Sequence, residues 1–315
     1  MDQPMRLKNN GQISIVLNNQ KRKALAKELP DTQQVHQAIP SEHTALIEIE
    51  DELAGLVGMD EMKRMIKEIY AWIYVNKKRE ALGMKAERQA LHMMFKGNPG
   101  TGKTTVARLI GKLFLKMNVL SKGHLIEAER ADLVGEYIGH TAQKTRDLIK
   151  KSIGGILFID EAYSLGRGGE KDFGKEAIDT LVKHMEDKQH EFILILAGYS
   201  REMDYFLTLN PGLYSRFPLV VDFPDYTIEQ LMEIGSRMLK DREYTLSHEA
   251  DRKLREHLIW VKSVLNPASF SNGRYVRNII EKSIRCQAMR LLMQSSYDRH
   301  DLMTIRSNDL VFEED

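Results

Sequence analysis

The sequence predicts an α/β fold, a mainly parallel sheet with helices on both faces, followed by a smaller all-helical domain. Three observations predict it. Between about residues 46 and 225, apolar runs of strand length alternate with segments of helical periodicity, the pattern of parallel strands joined by crossover helices. A glycine-rich octapeptide stands between one such strand and the helix after it. Beyond Pro224-Asp225 the strand-like runs stop, and the chain reads as helices to about Met303.

The elements follow in order. Residues 1–45 read as an arm or linker: a short strand-like run, Ile13 to Leu17, lies between Asn-Asn pairs, and the polar stretch Lys21 to His43 is broken by Pro30 and Pro40. Such a segment is too small to bury a core alone. Ile47, Ile49, Leu53 and Leu56 then lead into Val57-Gly58, and Met62, Met65, Ile66, Ile69, Tyr70 and Ile73 form a helical stripe. Leu91 to Phe95 is a buried strand, and Val106, Leu109, Ile110, Leu113, Phe114 and Met117 mark an amphipathic helix. Strands follow at His124–Ala128, Ile153–Ile159, Phe192–Ala197 and Leu219–Phe223, with helices at Thr141–Lys151 and from Phe173 to Met185 between them. Thr227 with Gln230 is a capping box that opens the helical domain, residues 226–315.

The octapeptide Gly97-Asn98-Pro99-Gly100-Thr101-Gly102-Lys103-Thr104 fits the phosphate-binding pattern G-x-x-x-x-G-K-[ST] in its required strand–loop–helix setting. Its backbone N–H groups and the helix N-terminus surround the phosphates of a nucleotide. Lys103 reaches the β- and γ-phosphates, the Thr104 hydroxyl takes Mg²⁺, and Thr105 continues the turn. Ile156 to Ile159 is an apolar strand ending in Asp160-Glu161. Asp160 completes the Mg²⁺ shell, and Glu161 is placed to deprotonate a water that attacks the γ-phosphorus. A base at that position argues for hydrolysis of ATP rather than transfer to a second substrate.

Three further features stay open on the residues alone. Arg216, in Ser215-Arg216-Phe217-Pro218 after Asn210-Pro211-Gly212, is either a finger for a transferred phosphoryl group or a solvated turn residue. Arg274 or Arg277, in the first turn of a helix opened by Phe270-Ser271-Asn272-Gly273, could reach back to the γ-phosphate. Tyr137 and Ile138, set between Gly135 and Gly139, either pack under their loop or form an exposed tip that contacts another chain.

Composition bounds the rest. Among 315 residues, 46 Lys and Arg face 45 Asp and Glu, a formal charge of +1. That balance gives no electrostatic case for nucleic acid or membrane as a partner. The single cysteine, Cys286, excludes an internal disulfide and fits a reducing cytoplasm. It falls in a helical run and reads as a packed thiol. The sixteen methionines, spread through helical patterns, read as core fillers. The polar stretch Met1 to Gly11 has no secretory h-region, and no apolar run is long enough to span a bilayer.

The ordered set of Gly97–Thr104, Asp160-Glu161, Arg216 and an arginine-bearing C-terminal helix resembles the AAA+ ATPases. Leu56-Val57-Gly58-Met59 looks like their adenine-contacting segment, with Val57 and Gly58 against the base. Val134-Gly135-Glu136-Tyr137-Ile138-Gly139-His140-Thr141 and Asn210-Pro211-Gly212 are similar to the red-type Rubisco activases of the CbbX kind, and a likeness to a sporulation protein implies work in spore maturation. The resemblance implies a P-loop NTPase αβα sandwich with a five-stranded parallel sheet and a helical lid, assembled as a homo-oligomeric ring, most often a hexamer, that remodels or threads a protein substrate. It makes Tyr137, Ile138 and Gly139 the substrate-gripping pore loop, Arg216 a finger delivered to the neighbouring subunit, and Arg274 the lid arginine, with Arg277 its competitor. The chain departs from the family where the fourth strand ends Leu196-Ala197-Gly198-Tyr199 instead of in an asparagine, so Tyr199 or a neighbour has to position the water. A DNA-handling AAA+ protein and an ATP-gated scaffold with little hydrolysis are the alternatives. The first lacks a helix-turn-helix module after the lid, and Glu161 argues against the second.

Overall fold

All five strands of the main sheet run parallel, and their residues alternate between two cores. The computed structural model describes residues 44–86, 89–137, 139–167, 172–209, 211–264 and 270–312. Helices α1 (Thr44–Ala54) and α2 (Asp60–Ala81) precede β1 (Met93–Gly97). The chain continues through α3 (Lys103–Lys116), β2 (Leu125–Ala128), α4 (Arg130–Leu133), α5 (His140–Ser152) and β3 (Ile156–Ile159). A 3₁₀ turn, Ala162–Gly166, leads to α6 (Gly174–Asp187), β4 (Ile193–Gly198), α7 (Ser200–Thr208), α8 (Pro211–Arg216) and β5 (Leu219–Phe223). The strand-like run Ile13–Leu17 and the polar stretch Lys21–His43 lie outside the described residues.

The strand order is β2-β3-β4-β1-β5. Met93 and Phe95 of β1, Ile156 and Phe158 of β3, and Ile193 and Ile195 of β4 join a core with Ile66 of α2 and Ile110 and Phe114 of α3. The intervening Met94, Leu157, Ile159, Leu194 and Leu196 join the opposite core with Ile149 of α5, Ile178 and Leu181 of α6, and Phe206 of α7. Strands buried on both faces explain why they read as continuous apolar runs. On the edge strand β5, Val221 and Phe223 are buried while Val220 and Asp222 are exposed.

Register sets the height of the site. β3 ends at Ile159, level with Leu196 and Met94, whereas β1 runs on to Gly97, so Asp160 and the phosphate loop emerge on either side of β4 at the carboxyl end of the sheet, Asp160 the lower of the two. With strands spaced about 4.8 Å, β1 and β3 stand about 10 Å apart with β4 between them.

Beyond β5 come α9 (Ile228–Lys240), β6 (Thr245–Leu246), α10 (His248–Val264), α11 (Asn272–Leu292), α12 (Arg299–Met303), β7 (Thr304–Ile305) and a 3₁₀ turn at Ser307–Asp309. Leu231, Leu254, Leu258, Val276 and Ile280 form their core. The capping box is present: Gln230 N donates to Thr227 Oγ1 at 3.2 Å, and Thr227 N donates to Gln230 Oε1 at 2.9 Å. β6 and β7 pair in parallel, Thr245 opposite Thr304, a contact too short to leave a period in the sequence. Cys286 is half-buried on α11.

One buried histidine makes the fold acid-sensitive. His92 is 1% exposed and its Nδ1 accepts from Leu194 N at 3.0 Å. Burial holds its pKa at about 4, against 6.5 for the free side chain. The unfolded chain therefore takes up a proton near pH 6.5 that the folded chain refuses until about pH 4. Stability is full above pH 6.5 and falls through that window by about 3 kcal/mol from this site. Urea melts at pH 7 and pH 4.5 should show that loss, and His92→Gln should reduce it.

Candidate active site

The phosphate loop can turn as it does only with glycine at its corners. Gly100 and Gly102 hold φ of +70° and +95°, which side-chain-bearing residues rarely adopt. A Cβ on Gly97 would stand 2.3 Å from the carbonyl oxygen of Phe223, and one on Gly100 would stand 2.0 Å from that of Ser271. Thr101 Oγ1 donates to Asn98 O at 2.8 Å. Lys103 Nζ reaches back to Gly97 O at 2.8 Å and Asn98 O at 2.9 Å. Its pKa is lowered, first by burial and also by Arg274, against the opposing pull of Asp160 and Glu161. The first N–H groups of α3, free of helical partners, open at the same point.

A cleft of about 680 Å³ opens over this loop, a size suited to a nucleotide. Leu56, Val57, Met59, Ile234 and Met238 give it apolar walls. Gly100, Lys103, Thr104, Asp160, Glu161 and Arg274 line the same cleft. An apolar wall for a base and a glycine cradle with a lysine for phosphates fit a nucleoside triphosphate. Pro99 and Thr105 also line the cleft. Asn98, Thr101 and Gly58 stand behind its wall: Thr101 is buried, and Gly58, at φ +65°, backs onto the Gln230 side chain. Arg277 lines the cleft beside Arg274, but Arg274 is the one whose charge lowers the Lys103 pKa.

At the end of β3, Glu161 N donates to Asp160 Oδ1 at 2.9 Å. Glu161 itself holds φ +46°, a left-handed conformation that costs a non-glycine residue about 1–3 kcal/mol and recurs at functional sites. Tyr163 lies beneath. Burial, reinforced by the Glu161 carboxylate, pushes its pKa up to about 12. Its ring is 5.9 Å from that of Tyr199, which lines the cleft at the end of β4 where an asparagine would be expected.

Arg216 does not line this cleft. It closes α8, a helix opened by Pro211, and does not sit in a turn. Proline at a first helical position loses no hydrogen bond. Its guanidinium pairs with Glu186 and donates to Gly212 O at 2.7 Å. Tyr137 is 66% exposed, its ring edge-on to His140 at 5.4 Å, so this side chain does not pack under its loop. Gly135 N donates to Thr141 Oγ1 at 2.9 Å and closes the base of the loop, and Gly139 holds φ +82°. Ile138 lies outside the described residues.

Several cleft residues left no signal in the sequence. Ile234 and Met238 come from α9, whose periodicity reads only as a lid helix, and Asp241 follows its last turn. Arg237, also on the cleft, donates to Gly55 O at 2.6 Å. Tyr226 OH donates to Thr101 O at 3.0 Å, a contact spanning 125 residues.

The parallel sheet, the glycine cradle with its lysine and the strand-end carboxylates are those of a P-loop ATPase. The chain belongs to the AAA ATPases: residues 93–225 match the ATPase family associated with various cellular activities (AAA), and residues 227–315 match the AAA lid domain. It is 70% identical over 316 residues to stage V sporulation protein K of Bacillus subtilis (strain 168), covering 100% of this chain and 98% of that protein. It is 42% identical over 272 residues to the chloroplastic ribulose bisphosphate carboxylase/oxygenase activase of Cyanidioschyzon merolae (strain NIES-3377 / 10D), covering 85% of this chain and 92% of that one. A RuvB mutant of Thermotoga maritima shares the fold, with a TM-score of 0.51 at 16% identity over 82% of this chain and 69% of that chain. Among the described residues, no helix is long and apolar enough to cross a membrane.

Proposed function

We propose that this ATPase works in the cytoplasm as a homo-oligomeric ring, most simply a hexamer, that grips and remodels a protein substrate during spore maturation. The observation that carries the reading is the division of labour within one chain. Lys103, Asp160 and Glu161 meet at one cleft, whereas Arg216 stands outside it and Tyr137 projects from a glycine-hinged loop. An arginine finger supplied to the next subunit makes hydrolysis depend on assembly. The names of the sporulation and activase relatives support the biological setting and a protein substrate.

The residues take the following roles. Leu56, Val57 and Met238 hold the base of ATP. The N–H groups from Gly100 to Thr105 and the Lys103 ammonium hold its phosphates. Thr104 Oγ1 and Asp160 would hold Mg²⁺, which when bound would neutralise negative charge on the phosphates. The Glu161 carboxylate orients the attacking water and accepts its proton, yielding ADP and phosphate. Tyr199 stands where it can orient the same water. Arg274 brings the lid to the γ-phosphate.

Tyr137→Ala tests the remodelling reading. Basal ATPase should stay within about twofold of wild type, as for an exposed side chain. A Glu161→Gln ring, which holds ATP without hydrolysing it, should capture polypeptide by cross-linking in sporulating cells, and adding Tyr137→Ala should abolish that capture. If Tyr137→Ala loses assembly and hydrolysis together, the tyrosine is a packing residue and the reading fails.

A further inference from the structure

The phosphate loop is wired to the lid by three side chains that the hydrolytic chemistry does not itself require. Asn98, inside the loop, donates from Nδ2 to both oxygens of Asp225 at 3.0 Å. Asp225 Oδ1 also accepts from Asn272 Nδ2 at 2.7 Å. The Asn272 side chain is fully buried, and its Oδ1 accepts from Tyr226 N at 3.0 Å while Nδ2 also donates to Phe270 O at 3.2 Å. Its backbone holds φ +45° at the start of α11. One residue on, Gly273 N donates to Gly100 O at 3.1 Å. Two residues on is Arg274, which lines the same cleft as Lys103.

We propose that Asn272 is a positioning residue. Through Asp225 and Asn98 it locks the start of the lid helix α11 to the phosphate loop, so that a change in the loop on ATP binding moves Arg274. The inference rests on the role proposed for Arg274. Asn98 O accepts from both Lys103 Nζ and Thr101 Oγ1, so any movement of Lys103 toward a γ-phosphate disturbs the residue that holds Asp225. A buried amide–carboxylate relay fixes one register between two elements, which apolar packing of the same volume would not specify. The left-handed backbone at Asn272 turns the chain sharply there, and Gly100 leaves α11 no clearance from the loop.

Asn272→Gly isolates the amide, because glycine accepts φ +45° without strain. The expected variant folds, loses about tenfold in kcat as expected of a misplaced group, and changes KM for ATP by less than about threefold. Combining it with Arg274→Ala should cost no more than the worse of the two alone, since both remove one effect. In hydrogen exchange, a non-hydrolysable ATP analogue with magnesium should protect the amides of residues 273–277 in wild type and not in Asn272→Gly. Asn98→Ala, which frees the Asp225 carboxylate from the loop side of the same relay, should also lose the nucleotide-dependent protection of residues 273–277. Wild-type kcat in Asn272→Gly, full multiplication of its loss with that of Arg274→Ala, or retained nucleotide-dependent protection would overturn the proposal. If Arg274→Ala alone leaves turnover unchanged, the role of Arg274 falls, and the exchange result decides the coupling separately. If Asn272→Gly does not fold, Asn98→Ala decides the coupling: lost nucleotide-dependent protection of residues 273–277 upholds it and retained protection overturns it.

Discussion

Arg216→Ala is expected to leave ATP binding unchanged and to cut hydrolysis by about 10³-fold, the lower end of what an arginine finger contributes. The guanidinium is absent from the lining of its own subunit's cleft, so nothing there is lost when it is removed. What it holds within the chain is modest: a pairing with Glu186 on α6 and a hydrogen bond to Gly212 O. A partly exposed ion pair of this kind contributes about 1 kcal/mol or less to stability, so the folded protein should survive the change. Equilibrium binding of a fluorescent ATP analogue, set beside steady-state phosphate release, separates the two effects. Normal turnover in the variant would show that the site is complete within one chain.

Lys103→Ala should weaken ATP binding by about 10²-fold or more, the range for removing one partner of a desolvated charge pair. The ammonium is largely buried and spans from the loop carbonyls of Gly97 and Asn98 toward the carboxylates at the end of β3. Alanine leaves the glycine cradle and the helix N-terminus in place but removes the one cation of the loop Gly97–Thr104. The rise in melting temperature on adding ATP, which follows from binding to the folded state alone, should disappear with it. Retained tight affinity would refute the phosphate-loop assignment.

How much of this was legible depended on whether a feature had a period or a pattern. The loop Gly97–Thr104, with its dictated glycines, reads directly, as does the apolar strand ending at Asp160-Glu161. Strand and helix starts shift by a few residues: β3 begins at Ile156 and not Ile153, because Gly154 holds φ +81° and ends the preceding turn. The short helices α4, α7 and α8 are too brief for a hydrophobic repeat to show. What sequence cannot carry is the meeting of distant segments. Nothing along the chain announces that Asn272 touches Asp225, that Tyr226 touches Thr101, or that α9 walls the nucleotide cleft. These contacts arise from how the lid folds back over the sheet edge. Arg216 is the instructive intermediate case. Its residue type suggested a finger, but only its position outside the cleft gives that reading a physical reason.

The central claim is that each active site is shared by two subunits, and mixing tests it most directly. Rings of Arg216→Ala alone and of Glu161→Gln alone should both be inactive, one lacking the finger and the other the base. Co-assembled rings should regain ATPase activity, because an Arg216→Ala subunit keeps an intact cleft that a Glu161→Gln neighbour can complete with its arginine. Activity that peaks at intermediate mixing ratios is the predicted result. Mixed rings that stay as inactive as either parent would contradict it.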